Sequence, residues 1–158
     1  MSRRSGARGI GQSGSLYVGG TPAPGFVVGG MVWTARIDPT FVEGGVTVVP
    51  DDDSVKVTML RTGPFVDWYP NPTRGFHLLG TVALGLSIES DIKGRPLEPF
   101  ALGFSPSVGL GYEWFVGSEF SLGAVGQTTL GYLWRSAPDG SQRTLFVAPE
   151  LALSATFH

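Results

Sequence analysis

The chain of 158 residues contains no cysteine, which excludes disulfides, thiolate metal sites and a cysteine nucleophile. Charge is scarce: Asp, Glu, Lys and Arg make up 15% of the sequence, where a globular domain usually has about a quarter. A net charge of -2 offers no basic field for nucleic acid, and no Lys/Arg cluster is interleaved with stacking aromatics. Long apolar runs are missing as well. The best, residues 26–33, includes Gly29 and Gly30 and falls far short of the ~18 residues of a membrane-crossing helix, so a helical membrane protein is excluded. There is no H-E-x-x-H or similar metal-ligand spacing, no phosphate loop and no dinucleotide fingerprint, so neither a metal nor another cofactor is expected. Residues 1–8 are basic and rich in Gly and Ser, and no apolar stretch follows them, so the chain as written shows no secretory signal peptide.

What the chain does have is glycine, 24 residues of it, and long two-residue alternations. They run over residues 76–88, 100–114, 120–134 and 145–157, and each exceeds the roughly 5 to 6 residues of an ordinary strand. In the second, Phe100, Leu102, Phe104, Pro106, Val108, Leu110, Tyr112 and Trp114 share one face, opposite Ala101, Gly103, Ser105, Ser107, Gly109, Gly111 and Glu113. A strand crossing a bilayer at a tilt needs about 9 to 11 residues with lipid-facing and lumen-facing side chains in alternation. Three further strands are expected over residues 9–20, 25–37 and 55–68, with a bulge near Met59 and Leu60 where the apolar phase slips.

The links between these runs fall into two kinds. Residues 21–25, 69–75 and 116–119 are short and built from turn residues, whereas 38–54, 89–99 and 136–143 are longer or more polar. That alternation suits an up-and-down outer-membrane barrel, with short turns on one side and longer loops on the other. The fold expected is therefore all-β: one antiparallel up-and-down transmembrane β-barrel domain over residues 1–158, with 1–8 a flexible or truncated loop. Seven strands are visible where eight are expected, because barrels of this kind have even strand numbers. A signal peptide and first strand ahead of Met1 are expected to be missing.

The stretches Gly19-Gly20-Thr21-Pro22-Ala23-Pro24-Gly25, Gly63-Pro64-Phe65-Val66-Asp67-Trp68-Tyr69-Pro70 and Gly109-Leu110-Gly111-Tyr112-Glu113-Trp114, with the final strand, carry a family likeness. The chain resembles the small outer-membrane β-barrel proteins of Gram-negative bacteria, of the eight-stranded OmpA/OmpX-like type, and among them glycine-rich barrels of the myxobacterial kind. The resemblance implies an outer-membrane location, lipid as surroundings, and recognition by the barrel-assembly machinery through the C-terminal strand. Leu151, Leu153, Ala155 and Phe157 keep the spacing of that signal, although His158 follows the aromatic residue. The surface ligand stays open. Interfacial aromatic girdles are expected from Trp68, Tyr69, Tyr112, Trp114, Phe120 and Phe157 at the short-turn end and from Trp33, Tyr132 and Trp134 toward the other.

Six charges within strands, Arg36, Lys56, Arg61, Asp67, Glu113 and Glu150, are placed by this reading on the non-apolar face, as a structural ionic network in the lumen. An eight-stranded barrel is only just wide enough for its side chains, which argues against a broad aqueous pore. His77 has no evident Ser or Asp constellation around it, so catalysis is not expected. Asp51, Asp52 and Asp53 with Glu43 read either as hard oxygen ligands for a divalent cation or as a solvated acidic loop. The function expected is a structural, envelope-stabilising or surface-adhesive membrane barrel. The alternatives are a soluble lipocalin-like barrel holding a small hydrophobic ligand, with its faces reversed, or a porin-like channel for small solutes.

Overall fold

The computed structural model describes residues 6–43, 46–48, 56–90, 100–116, 119–137 and 140–157. They form strands only: β1 (Gly6–Ala23), β2 (Phe26–Glu43), the short β3 (Val46–Val48), β4 (Lys56–Trp68), β5 (Phe76–Ser90), β6 (Ala101–Phe115), β7 (Phe120–Ala137) and β8 (Gly140–Phe157). The seven long strands follow chain order in one antiparallel up-and-down sheet, curled into a half-barrel whose edges are β1 and β8; β3 pairs only with β2.

The alternation in the sequence becomes the two faces of this sheet. On β6, Leu102, Phe104, Val108, Leu110, Tyr112 and Trp114 are exposed on the convex side, while Ala101, Gly103, Ser105, Ser107, Gly111 and Glu113 are buried on the concave side. Small residues crowd the concave side because curling brings its side chains together. The apolar core is accordingly thin and lies inside the curl, with Met31, Trp33, Met59, Phe65, Leu79, Val125 and Leu133 buried among it.

Three expectations change. β4 has no bulge at Met59 and Leu60: Met59, Arg61 and Phe65 are buried, Leu60 and Val66 are exposed, and the β2–β4 ladder is unbroken from Phe26↔Trp68 to Ile37↔Val57. The phase looked broken because the interior takes apolar side chains here too. The irregularity sits instead in the β1–β2 ladder between Gly20 and Ala23. The link expected over residues 136–143 is mostly strand, since β7 and β8 stay paired out to Ala137↔Gly140. Strand bounds also widen: β1 begins at Gly6 rather than Gly9, and β2 runs on to Glu43 through the start of the link expected over residues 38–54.

Turn chemistry sets the other end. Pro24 and Gly25 form the two-residue link of the β1–β2 hairpin; Gly25 has φ 78°, a conformation that costs a side-chain-bearing residue, and its carbonyl accepts from Tyr69 N at 2.7 Å. In the β4–β5 turn, Asn71 Oδ1 accepts from Thr73 N at 3.0 Å and from Thr73 Oγ1 at 2.7 Å, closing an Asx turn. Glu113 N donates to Gly75 O at 2.8 Å, which ties that turn to β6.

Candidate functional site

The concave face carries the polar chemistry of the described residues, in three groups along the strands. In the first, Arg61 is only 2% exposed; its Cζ lies 3.8 Å from the centre of the Trp33 ring and its Nη1 donates to Thr129 Oγ1 at 2.7 Å. The ladder pairs Trp33 with Arg61 directly, which is why the guanidinium finds the ring. Trp33 Nε1 in turn donates to Glu150 Oε2 at 3.1 Å, Gln127 Nε2 to the same oxygen at 2.7 Å, and Ser13 Oγ to Glu150 Oε1. Glu150 is thus held by neutral donors from β1, β2 and β7, and one carboxylate gathers strands from both ends of the sheet.

The second group lies by the short turns. His77, 3% exposed, has Nδ1 2.7 Å from Asp67 Oδ1, and the Tyr69 ring stacks on the imidazole at 5.0 Å with the planes 10° apart. Burial first, and then the charges of Asp67 and Glu113, push the Tyr69 phenol above its ordinary value. Glu113, 3% exposed, accepts from Thr156 Oγ1 at 2.6 Å and Ser121 Oγ at 3.1 Å. A carboxylate orienting a histidine is half of a general-base arrangement. Here, however, the other ring nitrogen is packed over Gly111, where a Cβ would collide with it, so the imidazole is clamped between Tyr69 and the β6 backbone.

The third group is an ion pair toward the other end, Arg135 Nη2 to Glu89 Oε1 at 2.7 Å. Between the groups, small hydroxyls fill the space, as in Thr81 Oγ1 to Ser107 Oγ at 2.5 Å.

Of the six expected inward charges, Arg61, Asp67, Glu113 and Glu150 lie on the concave face. Arg36 and Lys56 do not: both are exposed, in phase with the convex residues Val32 and Leu60. The assignment of Arg36 failed because Met31, Val32 and Trp33 are consecutive apolar residues, which leaves the phase of β2 ambiguous until its ladder is known. The same ambiguity misplaced Trp33, which is 6% exposed and interior rather than interfacial. Tyr69 also turns inward, onto His77. The remaining aromatics, Trp68, Tyr112, Trp114, Phe120, Tyr132, Trp134 and Phe157, are exposed on the convex side, with Phe26 stacked on Trp68 and Tyr112 beside Trp114. Reasoning from sequence missed Ser13, Gln127 and Thr129 because they are neutral. It missed Glu89 and Arg135 because each lies one residue past the assumed strand end, although both continue the inward phase. Asp51, Asp52 and Asp53 lie outside the described residues, as does the side chain of Glu43.

The convex face is the opposite in character. On β2 from Phe26 to Thr34, β4 from Thr58 to Trp68, β8 from Leu145 to Phe157, and along the described lengths of β5, β6 and β7, no outward position is Asp, Glu, Lys or Arg. Arg36, Asp38, Lys56 and Arg143 cap this band at the end away from the short turns. No family model, curated protein or solved structure matches the chain.

Proposed function

We propose that this chain is a transmembrane β-barrel protein of a Gram-negative outer membrane, of the OmpA/OmpX-like kind, with a structural, envelope-stabilising or surface-adhesive role. The observation that carries the reading is the uncharged convex band, in which Val108 is 72% and Leu84 67% exposed. An apolar surface running across seven strands is far larger than the few hundred Å² that a soluble monomer normally leaves open to water. Aromatic pairs at both margins, Phe26 with Trp68 and Tyr112 with Trp114 at one and Tyr132 with Trp134 at the other, are the pattern that lipid interfaces favour. The concave face supports a structural interior over a channel, because its charges are bonded to neighbours and its gaps are filled by Ser, Thr and Gly. Strand β8, with Leu151, Leu153, Ala155 and Phe157 outward, is the segment proposed to engage the assembly machinery.

The test is to refold the chain from denaturant in the presence of phospholipid vesicles and float them on a density gradient. Co-flotation that resists alkaline extraction is the expected result. A chain that folds and stays at the bottom of the gradient overturns the membrane reading.

A further inference from the structure

The sheet's two edges do not pair, yet they face one another across a narrow opening bridged by Ser13 and Glu150. Three features of that opening agree on what fills it. The first is width. A serine and a glutamate joined by a hydrogen bond span about 10 Å at most between Cα atoms, by ordinary bond lengths. Two strands flanking a third stand about 9.6 Å apart, so the opening at this level is no wider than one strand position. The second is direction. Every neighbouring pair along the seven-strand path is antiparallel, so β1 and β8 run the same way. They cannot close on each other antiparallel, whereas one strand running the opposite way pairs antiparallel with both.

The third is offset. The row of paired residues Gly14, Thr34, Leu60, Leu86, Leu102 and Trp134 reaches β8 at Arg143, so Ser13 is level with Gln142. The residue Ser13 meets across the opening is Glu150, eight further along β8. A stagger of about eight residues around the sheet is the shear that gives eight strands a tilt of about 36°.

From these features we infer that the β1/β8 opening is a slot for a single amphipathic β-strand from outside residues 1–158, antiparallel to both edges. Its outward residues are apolar, continuing the band of Ile10, Leu16, Leu151 and Leu153. Its inward residue behind the Ser13–Glu150 bridge is Gly, Ala or Ser, because the bridge leaves no depth for more. A second copy of the sheet does not fit, since it would have to part that bridge. Only the apolar outward pattern rests on the membrane reading; the width, direction and offset do not.

The absence of cysteine makes the edges addressable. The full chain with Gly14→Cys and Leu151→Cys is folded in detergent micelles, with and without a synthetic peptide copying residues 120–134, the chain's own strand antiparallel to β8. Gly14 has open space for a side chain and Leu151 is exposed, so neither change disturbs packing. The expected result is that oxidation gives no intrachain disulfide, because Cα atoms more than about 7 Å apart cannot be bridged. One peptide binds per chain, and amide exchange in both β1 and β8 slows at least about tenfold, a factor equal to about 1.4 kcal/mol of protection. A disulfide within one chain would show that the edges close directly and overturn the inference. So would a peptide that protects neither edge, or edges protected without peptide in a chain that is dimeric. A slot that takes the peptide in a chain that does not float with vesicles leaves this inference standing and removes the membrane reading.

Discussion

At the residue scale, the interior depends on a few acceptors that serve several donors. Glu150 takes hydrogen bonds from Trp33, Gln127 and Ser13, so its removal orphans more than one group. Glu150→Ala is expected to destabilise the fold by about 1 to 3 kcal/mol for each buried donor left unpaired, read from denaturant unfolding in micelles, while Glu150→Gln loses less. Tyr69 makes a pH prediction. Its ordinary value is 10.0 and the folded state holds it higher, so unfolding releases a proton above that pH. Stability from this group is complete below pH 10 and is lost as pH rises from there toward the folded value. Tyr69→Phe should therefore flatten the alkaline fall of the unfolding midpoint; an unchanged slope would mean that burial and the charges of Asp67 and Glu113 do not hold the phenol protonated.

At the scale of the element, the two faces of a strand obey different rules. Leu84→Arg on the convex side of β5 should weaken insertion by about 2 to 4 kcal/mol if that position lies near mid-bilayer, whereas Ser15→Lys, exposed in the concave phase of β1, should cost much less. Equal yields for the two in a vesicle-folding assay would contradict the facing. The β1–β2 hairpin has its own requirement. Gly25→Ala places a Cβ at positive φ and against the Tyr69 carbonyl, with an expected loss of about 1 to 2 kcal/mol in unfolding free energy. These strands were legible in the sequence because their apolar and small residues alternate for a dozen residues or more. Their ends were not: β5, β7 and β8 continue beyond the apolar pattern because the ladders persist through polar residues, and that concealed the pair of Arg135 with Glu89.

For the whole molecule, the height of the uncharged band is the quantity that matters. On β2, where it is shorter than on β4 or β8, it covers nine residues, Phe26 to Thr34. At about 3.4 Å per residue and a tilt near 40°, that stands roughly 23 Å tall, close to the band of outer-membrane barrels. Folding yield should therefore be higher in vesicles of short-chain lipids than in thick long-chain ones, measured by the heat-dependent shift of the folded form on gels. A yield independent of chain length would mean the band does not set the depth. Arg36 and Lys56, exposed outward rather than inward, gain a role at this scale: they mark the polar margin of the band on β2 and β4.

Alternation alone determined that the chain makes long strands and that β5 to β8 have one apolar and one small polar face, because a period of two sorts side chains without reference to anything else. Tertiary structure decided what that period leaves open. The ladder between β2 and β4 chose which side of Trp33, Arg36 and Arg61 faces in, since consecutive apolar residues fit either phase. The curl brought Glu150 together with Ser13 and Trp33, partners far apart in the chain that meet only when the sheet bends and its rows are staggered around it, whereas Asp67 and His77 meet through the ladder of neighbouring strands β4 and β5.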